Sequence, residues 1–518
     1  MRILFVMRHA GFVRNFDTAL RLMAERGHRI HLAFQMASDA ADTADRLCAD
    51  YESVTQGWAP ARDDAWTVLA SLVRTGIDYL RFLEPRYRVA GKARRRVQDG
   101  APRSLVRAAA WPPLATPRGR RVLRDLLRWI DQGIPAGARI DEFMREQHPD
   151  ILLITPLLAG PTQADFVRSA RTLGIRTALP VTSWDNLTNK GLIRDAPDSV
   201  FLWNEAQRRE AIEDHGIPAE RVRATGAHTY DHWFAWAPST SREQFSARVG
   251  LDPGRPFLLY LCSSKFIAPN EREFVEKWVA EVRTHGAPAL REAGILVRPH
   301  PASGVVQWGE RDLGELENVA VWPPVGADPR HPQAKADYFD SMYHSAATVG
   351  VNTSALIESA IVGRRAYTVL APEFRETQEG TLHFQHLLEA NGGPLTVAET
   401  FEQHLADLAT AVDPSVHDPE WNRPFLASFV RPHGLEEPAA PMLVRAIEEA
   451  ASEPAPAPVA PLVLAPVLLR PVSHLAGWHE AGGRRALRSA RKRGRRARRQ
   501  ARIRAGAVAR RVVGRGGV

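Results

Sequence analysis

The sequence has little cysteine: Cys48 and Cys262 are the only two in 518 residues. Two cysteines exclude a disulfide scaffold and a zinc site with four cysteine ligands, and they are typical of a reducing compartment. Several enzyme motifs are also missing: there is no P-loop, no Gly-rich dinucleotide fingerprint, no His-Glu-x-x-His and no Gly-x-Ser-x-Gly. Asp-x-Asp is absent too, so no paired carboxylates suggest a metal, and we predict no metal site.

Long hydrophobic runs are absent as well. The N-terminus has five apolar residues before Arg8, which is too short for the apolar stretch of a signal peptide. The uncharged run Pro454–Leu469 contains five prolines, and a bilayer helix needs about 20 apolar residues. We therefore expect a cytoplasmic protein, with peripheral contact at the inner face of the membrane left open.

Basic charge is concentrated at one end of the chain. The net charge is +9, and residues 484–515 carry 15 Lys/Arg without Asp or Glu, so residues 1–483 carry −6. No aromatic residue follows Trp478, so the platforms on which single-stranded bases stack are missing, and we expect no nucleic-acid partner. Contact of 484–518 with an anionic membrane and a disordered, solubilising tail both stay open.

Short apolar runs alternate with helical patterns along most of the chain, which predicts doubly wound parallel sheets. Ile3–Met7 and Ile30–Phe34 flank a helix and open the first such unit. Residues of about 60–145 show a helical stripe and basic patches, which favours a packing insertion over a membrane or acceptor contact. The predicted divisions are an N-terminal α/β domain (1–240), the insertion within it, a C-terminal α/β domain (250–450), an extended Pro-rich linker (453–473) and a disordered basic tail (474–518).

The strongest local pattern follows the predicted strand Ala347–Val349. There, Asn352, Thr353 and Ser354 form a small polar loop that opens a helix. Backbone N–H groups and the positive end of a helix favour an anion. Glu358 follows one turn later, where a carboxylate can accept hydrogen bonds from the two hydroxyls of a ribose. The alternative is a capped helix with a surface glutamate.

Two further loops follow predicted strands of the same domain. Arg298 and His300 lie in a Val-Arg-Pro-His-Pro segment, where two prolines stiffen the loop and both side chains can donate to phosphate. A Ser-Ser-Lys segment ending at Lys265 follows the strand at 256–262. Because parallel strands end at one edge of a sheet, the three loops predict a shared anion site.

This combination resembles the GT-B glycosyltransferase-like superfamily. Within it, the chain is similar to bacterial surface-polysaccharide glycosyltransferases, CDP-glycerol glycerophosphotransferases and non-hydrolysing UDP-N-acetylglucosamine 2-epimerases. The resemblance covers the layout of about residues 1–450. It includes the Pro-His-Pro loop, the Asn-Thr-Ser–helix–Glu element, and Thr225-Gly226 followed by Asp231, which resembles the family's T-G-x-x-x-x-D segment.

The resemblance implies that the second domain binds a nucleotide-sugar or CDP-alditol donor, with no cofactor. The donor-binding residues that it implies are Arg298, His300, Asn352, Thr353, Ser354 and Glu358, to which the third loop adds Lys265. Phosphate would lie at residues 352–354, the ribose at Glu358, and the leaving phosphate between Arg298 and His300. The first domain would hold a hydroxyl acceptor, including a lipid-linked one.

The first domain offers acceptor-binding and catalytic candidates after the strand Thr177–Val181. Trp184, Asn186 and Asn189 combine an aromatic plane with polar groups, a composition suited to a sugar. An inverting transfer needs a base at the acceptor hydroxyl, and the candidates in order are Asp185, His9 and Asp17. Asp185 also fits an Asx turn and Asp17 a helix N-terminal charge, and a retaining enzyme needs no such base.

The sequence therefore predicts a metal-independent transferase of bacterial cell-surface polysaccharide or glycolipid synthesis. An epimerase is less favoured, because the acidic residues with which the epimerases act on the sugar find no match here. The remaining alternative is a non-catalytic protein that its basic tail docks on a membrane or nucleic acid.

Overall fold

The computed structural model describes residues 1–158, 161–301, 313, 316–323, 332–413, 420–459 and 465–476. It contains two all-parallel β-sheets of seven and six strands. The first sheet consists of β1 (Arg2–Met7), β2 (Arg29–Phe34), β3 (Val54–Trp58), β4 (Ile151–Thr155), β5 (Arg176–Pro180), β6 (Ser199–Leu202) and β7 (Val222–Ala224). The second consists of β8 (Phe257–Leu261), β9 (Gly294–Arg298), β10 (Val319–Val321), β11 (Ala347–Gly350), β12 (Ala366–Val369) and β13 (Leu395–Ala398).

Both sheets are doubly wound. The strand orders are β3-β2-β1-β4-β5-β6-β7 and β10-β9-β8-β11-β12-β13, so the order reverses beside β1 and beside β8. The central strands β4, β8 and β9 are buried along their whole length, as expected for strands covered by helices on both faces. The predicted α/β class is confirmed, and the reversal points mark the sheet edges where ligands bind in such folds.

Helices cover both faces of each sheet. In the first domain they are Asp17–Glu25, Asp42–Asp50, Ala164–Leu173, Asn186–Asn189, Glu205–Glu213 and Asp231–Ala235. In the second they are Arg242–Val249, Glu271–His285, Pro288–Glu292, Pro332–Tyr343, Ala355–Ile361, Phe401–Ala411 and Arg423–Phe425. Short 3-10 turns connect several of these elements, and Leu426–Val430 is a π-helical turn.

The insertion consists of five helices: Thr67–Arg81, Gly91–Gly100, Arg103–Ala110, Pro117–Gln132 and Ala138–Gln147. A buried ion cluster joins it to the first domain, where Arg74 donates to Asp131 at 2.7 Å and to Asp165 at 2.7 Å. Arg168 adds a contact to Asp131 at 2.6 Å. Buried charges must be paired, so this cluster fixes how the insertion packs against the sheet.

The last long helix, Ala439–Ser452, lies on the first sheet and not on the second. Leu443, Val444 and Ile447 are buried in the core formed by β1, β2 and the helix Asp17–Glu25. At the helix N-terminus, Asp231 accepts hydrogen bonds from the backbone N–H groups of residues 439 and 440 at 2.9 and 2.6 Å. The sequence placed this segment in the second domain (250–450), whereas the chain in fact returns to the first.

The predicted extended linker is partly helical. Residues 465–476 form a helix whose Leu469 and Ser473 are buried, and the hydroxyl of Ser473 donates to the carbonyl of Ala65 in the first domain. The expectation of an extended chain up to residue 473 is therefore wrong for 465–473, because apolar packing on the insertion competes with its prolines. The basic stretch 484–518 lies outside the described residues. Across the described residues, we find no helix long and apolar enough to span a bilayer.

Candidate functional site

A cavity of about 660 Å³ lies between the two domains, at the carboxyl ends of strands from both sheets. Side chains after β1, β5 and β7 form one wall, and side chains after β8, β9 and β11 form the other. The lining includes four Lys/Arg and two Asp/Glu: Arg14, Arg46, Arg298, Lys335, Asp42 and Glu358. The excess of basic groups in a concave site favours an anionic ligand.

Arg298 is the most constrained of these cations. It ends β9, is 5% exposed, and its guanidinium lies over the Tyr338 ring at 4.8 Å from the centroid. Burial lowers the pKa of Arg298 to about 10, which still leaves it charged at neutral pH. Its Nη1 atom is buried and has no hydrogen-bond partner among the residues that the structure describes. A buried donor without a partner is costly, so this group is available to an anion in the cavity.

Glu358 lies on the same wall, and the Tyr338 hydroxyl donates to its Oε2 at 2.5 Å. Burial raises the pKa of Glu358 to about 7, although the hydrogen bond from Tyr338 and the charge of Arg14 act in the opposite direction. Burial, together with the nearby charges of Glu358 and Asp185, raises the pKa of Tyr230 well above its ordinary value. Glu358 is thus a carboxyl group that changes charge near neutral pH and faces an open cavity.

Five of the predicted donor-binding residues come together in this cavity: Arg298, His300, Thr353, Ser354 and Glu358. They come from two loops and the first turn of the helix Ala355–Ile361. In the part of the chain that the structure describes, no three His, Cys, Asp or Glu side chains lie close enough together to hold a metal ion. The lining therefore offers cations and hydroxyl groups, which suit a phosphate.

Two predicted donor-binding residues lie elsewhere. The Asn352 amide donates to the Thr377 carbonyl at 2.7 Å and to the Thr381 hydroxyl at 3.0 Å, so its side chain holds a loop of its own domain. Lys265 is exposed and is not part of the cavity wall. Its loop is instead held by Glu271, whose carboxylate accepts from the backbone N–H of Ser263 at 2.7 Å.

The predicted acceptor-binding residues are packed into the protein. Trp184 is 4% exposed and meets the His383 ring edge-on at 4.8 Å, so it belongs to the core between the domains. Asn186 and Asn189 are buried in one short helix, where their amides donate to Asp185 at 3.2 and 3.4 Å. These three side chains therefore do not face the cavity, which is lined at this point by Thr182 and Ser183.

Of the three predicted bases, none lines the cavity. Asp185 follows the lining residues directly. Burial alone would raise its pKa, but Lys190 and His383 and hydrogen bonds from Ser183 and Asn189 lower it below the ordinary value. Asp17 begins a helix and pairs with Arg21 at 3.2 Å, which is the helix N-terminal role considered for it. The ring of His9 packs on Phe12 at 4.6 Å, and burial lowers its pKa.

Several lining residues were not predicted. Arg14 and Arg46 come from the segments after β1 and β2. Three aromatic residues also line the cavity: Tyr230 and Trp233, which follow β7, and Tyr338, which lies in the helix Pro332–Tyr343. Tyr230 lies inside the Thr-Gly…Asp segment, so that segment was the signal that pointed to it. The helix Pro332–Tyr343 carries no local pattern that would place Tyr338 beside Glu358, because only the tertiary fold brings them together.

No family model matches this sequence, and comparison with curated proteins finds no match. Solved structures with a similar fold include the UDP-GlcNAc 2-epimerase from Neisseria meningitidis bound to UDP-GlcNAc, at 11% identity over 87% of this chain and 100% of that one, with a TM-score of 0.47. The UDP-GlcNAc 2-epimerase from Methanocaldococcus jannaschii is 10% identical over 87% and 100%, with a TM-score of 0.48. A glycosyltransferase from Rickettsia africae is 8% identical over 88% and 99%, with a TM-score of 0.48.

Similarity at this level tells us nothing about the chemistry of the present site. The strand order of the two sheets and the position of the cavity between them stand independently of these neighbours. The chain therefore has the GT-B-like fold that the sequence predicts: two Rossmann-like domains that face each other across a cleft.

Proposed function

We propose that this protein is an enzyme that uses a nucleotide-activated donor, and that it transfers a glycosyl or related group to a hydroxyl acceptor. The observation that supports this most is Arg298, a buried, charged donor in the wall of the interdomain cavity whose Nη1 atom has no hydrogen-bond partner within the described part of the chain. A diphosphate would satisfy that donor, and Glu358 lies on the same wall, where it can accept from ribose hydroxyls.

In the proposed reaction, the acceptor oxygen attacks the donor carbon while the bond from that carbon to the leaving phosphate oxygen breaks. For a CDP-alditol, the acceptor oxygen instead attacks the phosphorus that carries the alditol, and the bond from that phosphorus to the bridging oxygen of the diphosphate breaks, so that CMP leaves. Arg298 and His300 stabilise the charge that develops on the departing phosphate. The acceptor proton passes to a carboxylate of the first domain. Asp185 remains the proposed base, and Asp42 is the carboxylate that lines that wall.

Calorimetric titration with UDP, CDP, GDP and CMP tests donor binding. We expect one of these nucleotides to bind, and we expect Arg298→Met to weaken its binding by about 2 kcal/mol, the usual cost of losing a charged hydrogen bond. Arg364→Met is the matched control, because Arg364 also stacks on a tyrosine, at 5.5 Å, but lies outside this cavity. The proposal fails if none of the nucleotides binds, or if the two variants behave alike.

Asp185→Asn and Asp42→Asn separate the two candidate bases. The base variant should lose turnover by two to four orders of magnitude, roughly the usual contribution of general-base catalysis, while nucleotide affinity stays as in the wild type. If neither variant loses turnover, neither carboxylate of the first domain acts as the base.

The acceptor that we propose is a lipid-linked hydroxyl compound of bacterial cell-surface polysaccharide or glycolipid synthesis. Support comes from the resemblance to enzymes of that kind and from the 15 Lys/Arg near the C-terminus. Deletion of residues 477–518 spares the packed helix 465–476 and should leave nucleotide affinity unchanged. A loss of nucleotide binding in this variant would contradict the separation of donor site and tail.

A further inference from the structure

The helix Pro117–Gln132 of the insertion has an apolar face that nothing in the described structure covers. Val122, Leu126 and Trp129 are 63%, 51% and 49% exposed. Their spacing of four and three residues places them on one side of the helix. The same helix also exposes Arg118, Arg121 and Arg128.

A second exposed apolar face lies next to it, on the helix formed by residues 465–476. Leu469 packs beside Gly133, at the end of the helix Pro117–Gln132, where a Cβ atom on the glycine would lie 2.7 Å from the leucine Cδ1. The four other large aliphatic side chains of this helix are exposed: Val467 (66%), Leu468 (66%), Val472 (43%) and Leu475 (69%). Residues 465–476 include Arg470 and no acidic residue.

We propose that these two faces together form a docking surface for an anionic lipid bilayer. Interfacial helices combine exposed tryptophan and leucine with arginines, so that apolar side chains enter the acyl boundary while guanidinium groups meet lipid phosphates. The 15 Lys/Arg of residues 484–515 begin eight positions after the second helix ends. The sequence thus supplies an electrostatic attraction in addition to the apolar one, and stable attachment generally needs two such signals.

Charge distinguishes a bilayer from a second copy of the chain. In a symmetric dimer built on this face, the exposed arginines of one copy would approach those of the other. The two helices expose one carboxylate, Asp125, against four arginines (Arg118, Arg121, Arg128 and Arg470). A surface of anionic lipid neutralises the same arginines. None of the residues of the docking surface lines the interdomain cavity, so this inference does not depend on the proposed reaction.

Co-sedimentation of the full-length protein with phosphatidylcholine vesicles, with and without phosphatidylglycerol, tests the docking surface. We expect binding to the anionic vesicles, and a loss of at least about tenfold in affinity when Val122, Leu126 and Trp129 are all replaced by serine. A second variant, Leu468→Ser with Leu475→Ser, should lose affinity in the same direction. Added salt should weaken wild-type binding further.

Trp58→Ser is the matched control, because Trp58 is 67% exposed in the same domain and lies on the edge strand β3. It should bind vesicles as the wild type does. All variants should keep the wild-type melting temperature and nucleotide affinity, which excludes unfolding as the cause. The proposal is overturned if the triple variant binds vesicles as tightly as Trp58→Ser, if vesicles without phosphatidylglycerol bind equally well, or if the triple variant disperses a dimer that forms without lipid.

Discussion

Replacing Glu358 by glutamine should change how binding and stability depend on pH. Burial raises the pKa of this carboxyl to about 7, so it is about 90% protonated at pH 6 and about 10% protonated at pH 8. A ribose that donates two hydrogen bonds binds the ionised form and must displace the proton. Nucleotide-sugar affinity should therefore rise about tenfold from pH 6 to pH 8, which corresponds to about 1.4 kcal/mol.

The same pKa sets a stability change of opposite sign. In the unfolded chain the carboxyl titrates near its ordinary value of 4.5, whereas the folded protein keeps the proton up to about pH 7. The contribution of Glu358 to the free energy of unfolding is therefore fully present below pH 4.5 and is lost as the pH rises through 7. This loss amounts to about 3 kcal/mol. Glu358→Gln cannot ionise, so at pH 8 it should be more stable than the wild type by up to about that amount.

Two measurements check these expectations. Calorimetric titration with a nucleoside diphosphate sugar, whose phosphates do not titrate near neutrality, gives the affinity and the number of protons released in buffers of different ionisation enthalpy. At pH 6 the wild type should release close to one proton for each ligand bound, and Glu358→Gln should release none. Urea unfolding at several pH values gives the free energy of unfolding at each pH.

Glu271→Gln is the control for this reasoning. Burial also raises the pKa of Glu271, to about 8, but this side chain accepts from the Ser263 backbone and does not line the cavity. It should therefore alter the pH dependence of stability and leave ligand-linked proton release as in the wild type. Proton release that persists in Glu358→Gln, or an affinity that does not change between pH 6 and pH 8, would refute the assignment of Glu358 to the ligand.

Three further substitutions test the surrounding structure. Gly226→Ala would place a Cβ atom 2.6 Å from that of Ala439 at a φ of +89°, so it should lower stability by about 2 kcal/mol or more, measured by thermal unfolding. Arg74→Met would remove one of the two cations that contact each of two buried aspartates, because Arg168 still pairs with Asp131 and Arg62 with Asp165, and it should cost about 2–3 kcal/mol in urea unfolding. Tyr338→Phe removes a hydrogen bond that lowers the pKa of Glu358, so the midpoint of the pH-dependent binding should move to higher pH.

The central strands could be predicted from the sequence because they are covered on both faces and therefore read as continuous apolar runs. β4 and β8 are of this kind. The edge strand β3 is not: of its five residues only Val54 is buried, and the others are polar, glycine or exposed. β7 has three residues, too few to show a period. The sequence therefore does not predict β3 and β7, because these strands are stabilised by pairing with a neighbouring strand and not by a local hydrophobic pattern.

The site was partly predictable for a similar reason. Strand ends can be read locally, and parallel strands bring the loops at Arg298 and Ser354 to one edge. The direction of a side chain cannot be read in this way. Asn352 directly precedes Thr353, which lines the cavity, yet the amide of Asn352 donates its hydrogen bonds to Thr377 and Thr381 instead. Trp184 has the flat aromatic ring on which a sugar could stack, but packing against the second domain buries that ring.

The two domains are connected in two physically different ways, and this bears on how the cleft can move. At one end the connection is buried: the Asn204 amide of the first domain donates to the Phe429 carbonyl at 2.9 Å, shortly before the chain returns to the first domain in the helix that Asp231 caps. Elsewhere the insertion reaches the second domain through the exposed ion pair of Arg95 with Glu376. Exposed pairs contribute little to stability, whereas buried capping contacts are costly to break. A change in cleft width should therefore separate Arg95 from Glu376 and pivot about the Asn204–Phe429 end, because Phe429 and Trp184 belong to a buried core that the two domains share.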